Sequence, residues 1–158
     1  MGIPDFDDAG NLPPGRHEST EDEIAERLVG AFSTSTTRTA IFQYWRQHRR
    51  ALDELVEVRC QWLDGSFVSA KTDPADVDIV TVVEGSSFDE MPPHRRLLVT
   101  SLIGGHYTED FWQCDAYPVV AYPRGHLGHP KFRIACERWE DYFGHDRDGS
   151  PKGFLVVP

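Results

Sequence analysis

The chain has 158 residues, 39% hydrophobic and 27% charged, a balance that fits one water-soluble domain with a core of its own. Acidic residues outnumber Lys and Arg by 26 to 16, a formal net charge of −10 that argues against duplex DNA or other long duplex nucleic acid as a general partner. No apolar run approaches the ~20 residues of a membrane span; the acidic start, Met1 to Asp8, lacks an apolar secretion core; and the scattered Cys60, Cys114 and Cys136 fit reduced thiols in a cytoplasmic protein.

Residues 1–18 are rich in Pro, Gly and Asp and read as an extended arm ahead of a single domain over 19–158. Thr20, with Glu23 three residues on, fits a capping box and opens a short helix with Ile24, Leu28 and Val29 on one side. Apolar residues at Ile41, Phe42, Trp45, Leu52, Leu55 and Val56 predict a helix over 41–56 with one buried stripe. Arg46, His48, Arg49 and Arg50 on this helix read as a solvated face sooner than as a nucleic-acid patch. Strands are predicted over 58–63 and 76–83, the second rich in β-branched residues, with a turn at 84–87. A helix over about 88–103 follows, entered through Pro92 and Pro93 and stopped by Gly104-Gly105. Residues 113–122 read as a strand that Pro118 confines to an edge or a short run. A helix over 131–143 and a closing strand over 154–157 complete the order. The sequence therefore predicts an α/β (α+β) fold in which helices cover a small mixed sheet.

The chemistry concentrates between residues 63 and 80. Leu63-Asp64-Gly65-Ser66 puts a Gly-Ser turn after an apolar run, and Asp76-Val77-Asp78-Ile79-Val80 puts two carboxylates at i and i+2 of the next one. Residues two apart on a strand share a face. Two carboxylates side by side repel, so the pair either raises a pKa or recruits a cation. Magnesium suits this pair, because it is hard and binds through one or two carboxylates plus substrate phosphates. An exposed strand with alternating polar residues would also give Asp-x-Asp, but the apolar neighbours Val77, Ile79, Val80, Val82 and Val83 point to a largely buried strand. Gly65 allows close approach of the backbone to a ligand, and Ser66 with nearby N–H groups can hold phosphate oxygens. Lys71, in the loop between Ser66 and Asp76, can neutralise triphosphate charge, although a solvated loop lysine explains it equally.

Gly65-Ser66 followed by Asp76-x-Asp78 resembles the signature of the DNA-polymerase-beta-like nucleotidyltransferase superfamily. More closely, the segments at 6–15, 63–80 and 146–153 resemble a group of small bacterial and phage proteins within it. The resemblance implies a helix preceding a strand that ends in Gly-Ser, and transfer of a nucleotidyl group from a nucleoside triphosphate (NTP) with magnesium or manganese. It implies Asp76 and Asp78 as metal ligands and a third carboxylate that supports deprotonation of the acceptor hydroxyl and binds a second metal. Asp115, in a strand flanked by small and apolar residues, is the best candidate for the third, with Asp110 next. Small members of the superfamily often carry an arginine in the loop where this chain has Phe67-Val68-Ser69-Ala70.

Other motifs are weaker. Asp146-Arg147-Asp148-Gly149 superficially fits a calcium loop, but Val157 stands where the twelfth-position glutamate belongs, so a β-turn is expected. His94, His106, His126, His129 and His145 are too dispersed to predict zinc. Trp45, Trp62, Trp112 and Trp139 read as core, with room for one to stack on a base. The function expected is a minimal nucleotidyltransferase moving a nucleoside monophosphate onto a protein or RNA hydroxyl. The acidic balance favours a protein or small-molecule acceptor over long RNA. The alternatives are a non-catalytic partner protein in a toxin–antitoxin or phage-defence system, which the small size favours, and a nucleotide sensor.

Overall fold

The apolar runs pair into one five-stranded mixed sheet in the order β1-β5-β2-β3-β4. The strands are β1 Gly15–Glu18, β2 Val58–Asp64, β3 Val77–Glu84, β4 Cys114–Ala121 and β5 Gly153–Val157. The computed structural model describes residues 2–105, 108 and 113–158; His106, Asp110 and Trp112 of the sequence reading lie outside the described residues. β2 runs antiparallel to both β3 and β5, while β3–β4 and β1–β5 are parallel. Parallel neighbours need a crossover, and between β3 and β4 it carries α3 (Gly85–Asp89) and α4 (Pro93–Leu102). Pro118 falls in β4, an edge strand, as its missing N–H requires.

Alternation along the strands sends side chains to two cores. On one face Leu63, Val77, Ile79 and Ala116 pack against α1 (Glu21–Ile24), its continuation, and α2 (Arg38–Asp53). At the far end of that face Val83 meets Leu52, Val99 and Leu102 of α2 and α4. On the other face Trp62, Val80, Val82, Val119, Phe154 and Val156 lie under α5 (His129–Phe143), which contributes Phe143 and Trp139. The result is a sheet with helices on both faces. No helix among the described residues is long and apolar enough to cross a membrane.

The capping box forms as the sequence predicts: Thr20 Oγ1 accepts from Glu23 N–H and the Glu23 carboxylate accepts from Thr20 N–H. Beyond Ile24 the helix widens to π geometry over Ala25–Gly30. The extended arm packs onto the domain over its described residues 2–18: Ile3 and Leu12 are buried in the main core and β1 forms a sheet edge. Two expectations need correction. The predicted turn at 84–87 is the start of α3, held at its entry by Ser87 Oγ accepting from Glu57 N–H. The basic stretch of α2 is not one solvated face, because His48 is buried against the Leu102 carbonyl while Arg46 pairs with Glu21 and Arg49 with Asp53.

Arg38 ties these layers together. It is fully buried at the start of α2. Its guanidinium donates to the carbonyls of Leu28 (2.9 Å), Phe67 (2.8 Å), Ser69 (2.7 Å) and Lys71 (2.6 and 3.2 Å), which uses all of its N–H groups. Its plane lies 3.7 Å from the Phe32 ring centroid. Burial pulls its pKa down to about 10, opposed by Asp73, so it stays charged at neutral pH. Asp73 in turn accepts from Thr36 N–H at 2.7 Å and from the hydroxyl of Ser35. One cation thus fixes the loop that follows the Gly-Ser turn to two helices.

Arg38→Met keeps the apolar stem and removes every donor, leaving buried carbonyls unpaired. The expected cost is about 3–5 kcal/mol, read as a fall in the urea midpoint. Arg38→Lys should lose nearly as much, because an ammonium cannot reproduce the planar fork. A midpoint unchanged in Arg38→Met would show that the loop is held by something else.

Candidate functional site

Strand register sets the site. Asp64 at the end of β2 pairs with Asp78 of β3, and Asp78 pairs with Asp115 of β4. Trp62, Val80, Val82 and Val119 of the same strands lie under α5, and alternation places Asp64, Asp78 and Asp115 on that face, at one end of the sheet. Asp76, one residue before β3, acts electrostatically on Asp78 and on Cys114 of β4. The sequence-predicted trio Asp76, Asp78 and Asp115 is therefore brought to one end of the sheet, with Asp64 as a fourth carboxylate to which the sequence alone assigns no role.

The electrostatics are those of unneutralised acid. Burial, then Asp76, Asp64 and Asp115, push Asp78 up to about 7, with Lys152 opposing. Burial raises Asp64 to about 6 despite its ion pair with Lys152. Lys152 reaches Asp64 because the turn before it is rigid: Asp146 Oδ1 accepts from the N–H groups of Asp148 and Ser150, both at 2.9 Å, and Gly149 takes φ 81°. The expected β-turn at this motif is thus present, and its role is to deliver a lysine.

Asp115 has two different oxygens. Oδ2 accepts from the Tyr117 hydroxyl at 2.9 Å, while Oδ1 is buried with no hydrogen-bond partner among the described residues. Burial and Asp115 hold the Tyr117 phenol up at about 12, so it stays a donor. An orphan buried acceptor is costly unless a ligand supplies the donor or a cation.

Gly65 takes φ 78°, and a Cβ there would sit 2.2 Å from Asp78 Oδ2. Only glycine lets the turn cross this carboxylate. Ser66 opens a single 3-10 turn (Ser66–Val68), and its carbonyl accepts from the Ser69 hydroxyl at 2.7 Å. Lys71 is exposed, its carbonyl bound by Arg38, and it does not line the cleft described next. Among the described residues it is Lys152 that pairs with a carboxylate here, a contact hidden from the sequence because the lysine stands 88 positions from Asp64.

Asp78, Asp115 and Tyr117 open into a cleft of about 570 Å³ whose other wall is α5, including Arg138, Trp139 and Tyr142. A second groove of about 370 Å³, between the strands and α5, contains Arg16, Arg59, Arg133, Cys60 and Cys136. Its arginines are already paired, with Glu140, Glu84 and Glu137, so it lacks free charge.

Among the described residues no three His, Cys, Asp or Glu side chains form a ready cluster for a metal ion. The donor set nevertheless fits magnesium, which needs only one or two carboxylates when phosphates complete its shell. Asp115 Oδ1 is a hard acceptor with no hydrogen-bond partner among the described residues, and the Gly65 turn lies directly against Asp78 Oδ2.

The raised Asp78 pKa makes stability depend on pH in a fixed direction. An unfolded aspartate titrates near 3.8 and the folded one at about 7. Between those values the native state keeps a proton that the unfolded chain has released. Stability is therefore fullest below pH 4 for this group and falls as pH rises through 7. Asp78→Asn should match the parent at pH 4 and exceed it by about 1–3 kcal/mol at pH 8, in urea unfolding at each pH. A parallel pH dependence in the two proteins would show that Asp78 ionises normally. Gly65→Ala should cost about 1–3 kcal/mol through its left-handed backbone and its collision with Asp78, measured the same way.

A search of curated proteins and a search of solved structures each return no match for this chain. One family matches residues 4–158, the whole described sheet with both helical layers. The chain therefore belongs to the family of unknown function DUF6932.

Proposed function

We propose that this protein is a magnesium-dependent nucleotidyltransferase, moving a nucleoside monophosphate from an NTP to a hydroxyl of a protein or RNA acceptor. The observation that carries the reading is the register of Asp64, Asp78 and Asp115 across three adjacent strands, with the Gly65 turn crossing Asp78. Asp76, Asp78 and Asp115 are the residues that would hold magnesium or manganese. Such an ion, when bound, would supply positive charge to the triphosphate and to the oxygens that exchange at phosphorus.

The chain's own groups divide the remaining work. Gly65 lets the turn pass against Asp78, and Ser66 offers a hydroxyl that would meet a phosphate entering there. Lys152 occupies Asp64 and leaves Asp78 and Asp115 as the carboxylates facing the cleft. In the reaction an acceptor oxygen bonds to the α-phosphorus, the bond from that phosphorus to pyrophosphate breaks, and the acceptor proton leaves. Asp115, whose Oδ1 has no hydrogen-bond donor among the described residues, is the carboxylate that would take that proton. Tyr117 holds the same carboxylate from its other oxygen, which fixes its orientation. Rate enhancement would come mainly from positioning and electrostatics.

The net charge of −10 favours a protein or small-molecule acceptor over long RNA. Three free cysteines suit a reducing cytoplasm. A second reading, a nucleotide sensor or non-catalytic partner in a toxin–antitoxin or phage-defence pair, is favoured by the lack of a ready three-carboxylate cluster among the described residues.

Incubation with α-labelled NTPs, magnesium or manganese, and a cell lysate should place label on a protein or RNA. Asp78→Asn and Asp76→Asn should each abolish labelling while the protein still melts cooperatively. Ser66→Ala should reduce it by no more than about 150-fold, since one hydroxyl contact to phosphate is worth roughly 0.5–3 kcal/mol. Triphosphate binding without any transfer would favour the sensor; neither binding nor transfer would remove nucleotide chemistry altogether.

A further inference from the structure

α5 presents Ala135, Arg138, Trp139 and Tyr142 to the cleft, at positions i, i+3, i+4 and i+7 of one helical face. Tyr142 is 70% exposed, unusual for an aromatic ring that already has packing partners on its own helix. Its ring meets Trp139 edge-on, with centroids 5.7 Å apart and an 87° interplanar angle. Trp139 lies 4.7 Å from Tyr117, whose hydroxyl binds Asp115. A continuous chain of rings thus runs from the third carboxylate to the cleft mouth and ends in an open face. Arg138, one turn before Tyr142, is exposed and makes no ion pair among the described residues.

We propose that Tyr142, braced by Trp139, is a stacking platform for the base of a nucleotide lying in this cleft, with its phosphates directed along Arg138 toward Asp78 and Asp115. The proposal rests on the nucleotidyltransferase reading and adds the binding site for the base. Stacking uses the π-face that every base has, so the ring itself selects for a nucleotide and not for one of the four. A cleft of about 570 Å³ lies within the range of small-molecule sites and has room for one nucleotide.

Titration calorimetry in magnesium, with the four common NTPs and with inorganic tripolyphosphate, separates base from phosphate. The parent protein should bind each NTP more tightly than tripolyphosphate. Tyr142→Ala should weaken NTP binding by about 5- to 150-fold, the range base–aromatic stacking provides, and leave tripolyphosphate affinity unchanged. Tyr142→Phe should restore the parent value, and Trp139 fluorescence should be quenched by NTP and not by tripolyphosphate. Unchanged NTP affinity in Tyr142→Ala would overturn the platform while leaving the phosphate site standing. Equal loss of NTP and tripolyphosphate would also overturn it, because the ring would then act only on the fold or on the phosphates. A parent protein that binds neither would remove the nucleotide reading and the platform with it.

Discussion

Asp78 is a carboxylate with no ion pair among the described residues, held half-buried between two others. Asp64 flanks it on β2 and Asp115 on β4, and Lys152 is committed to Asp64. Much of what surrounds the cleft serves to keep that arrangement in place against its own repulsion. β3 is held on both sides, by β2 and β4, and its apolar residues are buried on both faces of the sheet. Strand pairing of this extent fixes register firmly, because a slip by one residue would move Val80 and Val82 out of the α5 core and Asp78 into the opposite one. The hydrophobic core therefore does electrostatic work: it holds acids at one level that would separate if the sheet were free to shift.

The loop after the Gly-Ser turn needs a different support. It leaves β2 at Gly65 and rejoins the sheet at Val77, with only one short 3-10 turn between. Arg38 replaces the missing regular hydrogen bonding by donating to three carbonyls of this segment, at Phe67, Ser69 and Lys71. The charge is stabilised by backbone dipoles and by the Phe32 face, with Asp73 adding to it through space. The turn crossing Asp78 is consequently anchored to α2, which is itself packed on the sheet's other side. Pre-organisation of this kind reduces the ordering needed when a ligand arrives.

How much of this could be read from the chain follows contact distance in sequence. β3 and the Asp-x-Asp pair were legible, because alternation and β-branched content are local signals. The capping box of Thr20 and Glu23, the Pro92-Pro93 entry to α4 and the confinement of Pro118 to an edge were legible for the same reason. The end of the sheet was only half visible. Asp115 could be nominated from its strand, but its pairing with Asp78 depends on a crossover between β3 and β4 that the sequence does not encode in any short window. Lys152 and Asp64 meet only because β5 inserts between β1 and β2. Residues 84–87 were misread as a turn because Gly-Ser-Ser is turn chemistry. Tertiary packing decided otherwise: a Cβ at Gly85 would lie 2.4 Å from the Tyr122 ring, so the glycine marks close approach to β4's end and not a reversal of the chain.

α5 changes what the carboxylates can do. A row of acids on an open sheet face would be hydrated and would attract any cation weakly. Here the same face is roofed by a helix whose apolar residues, Phe143 and Trp139 among them, seal one side of the cleft. Lower local polarity strengthens every charge interaction inside it. It also explains why Asp78 and Asp64 are both raised although they are not equally buried: desolvation leads in each, and neighbouring charge only adds to Asp78. The metal-bound nucleotide proposed for this space would bring positive charge to the acids and an apolar surface to the helix in one molecule.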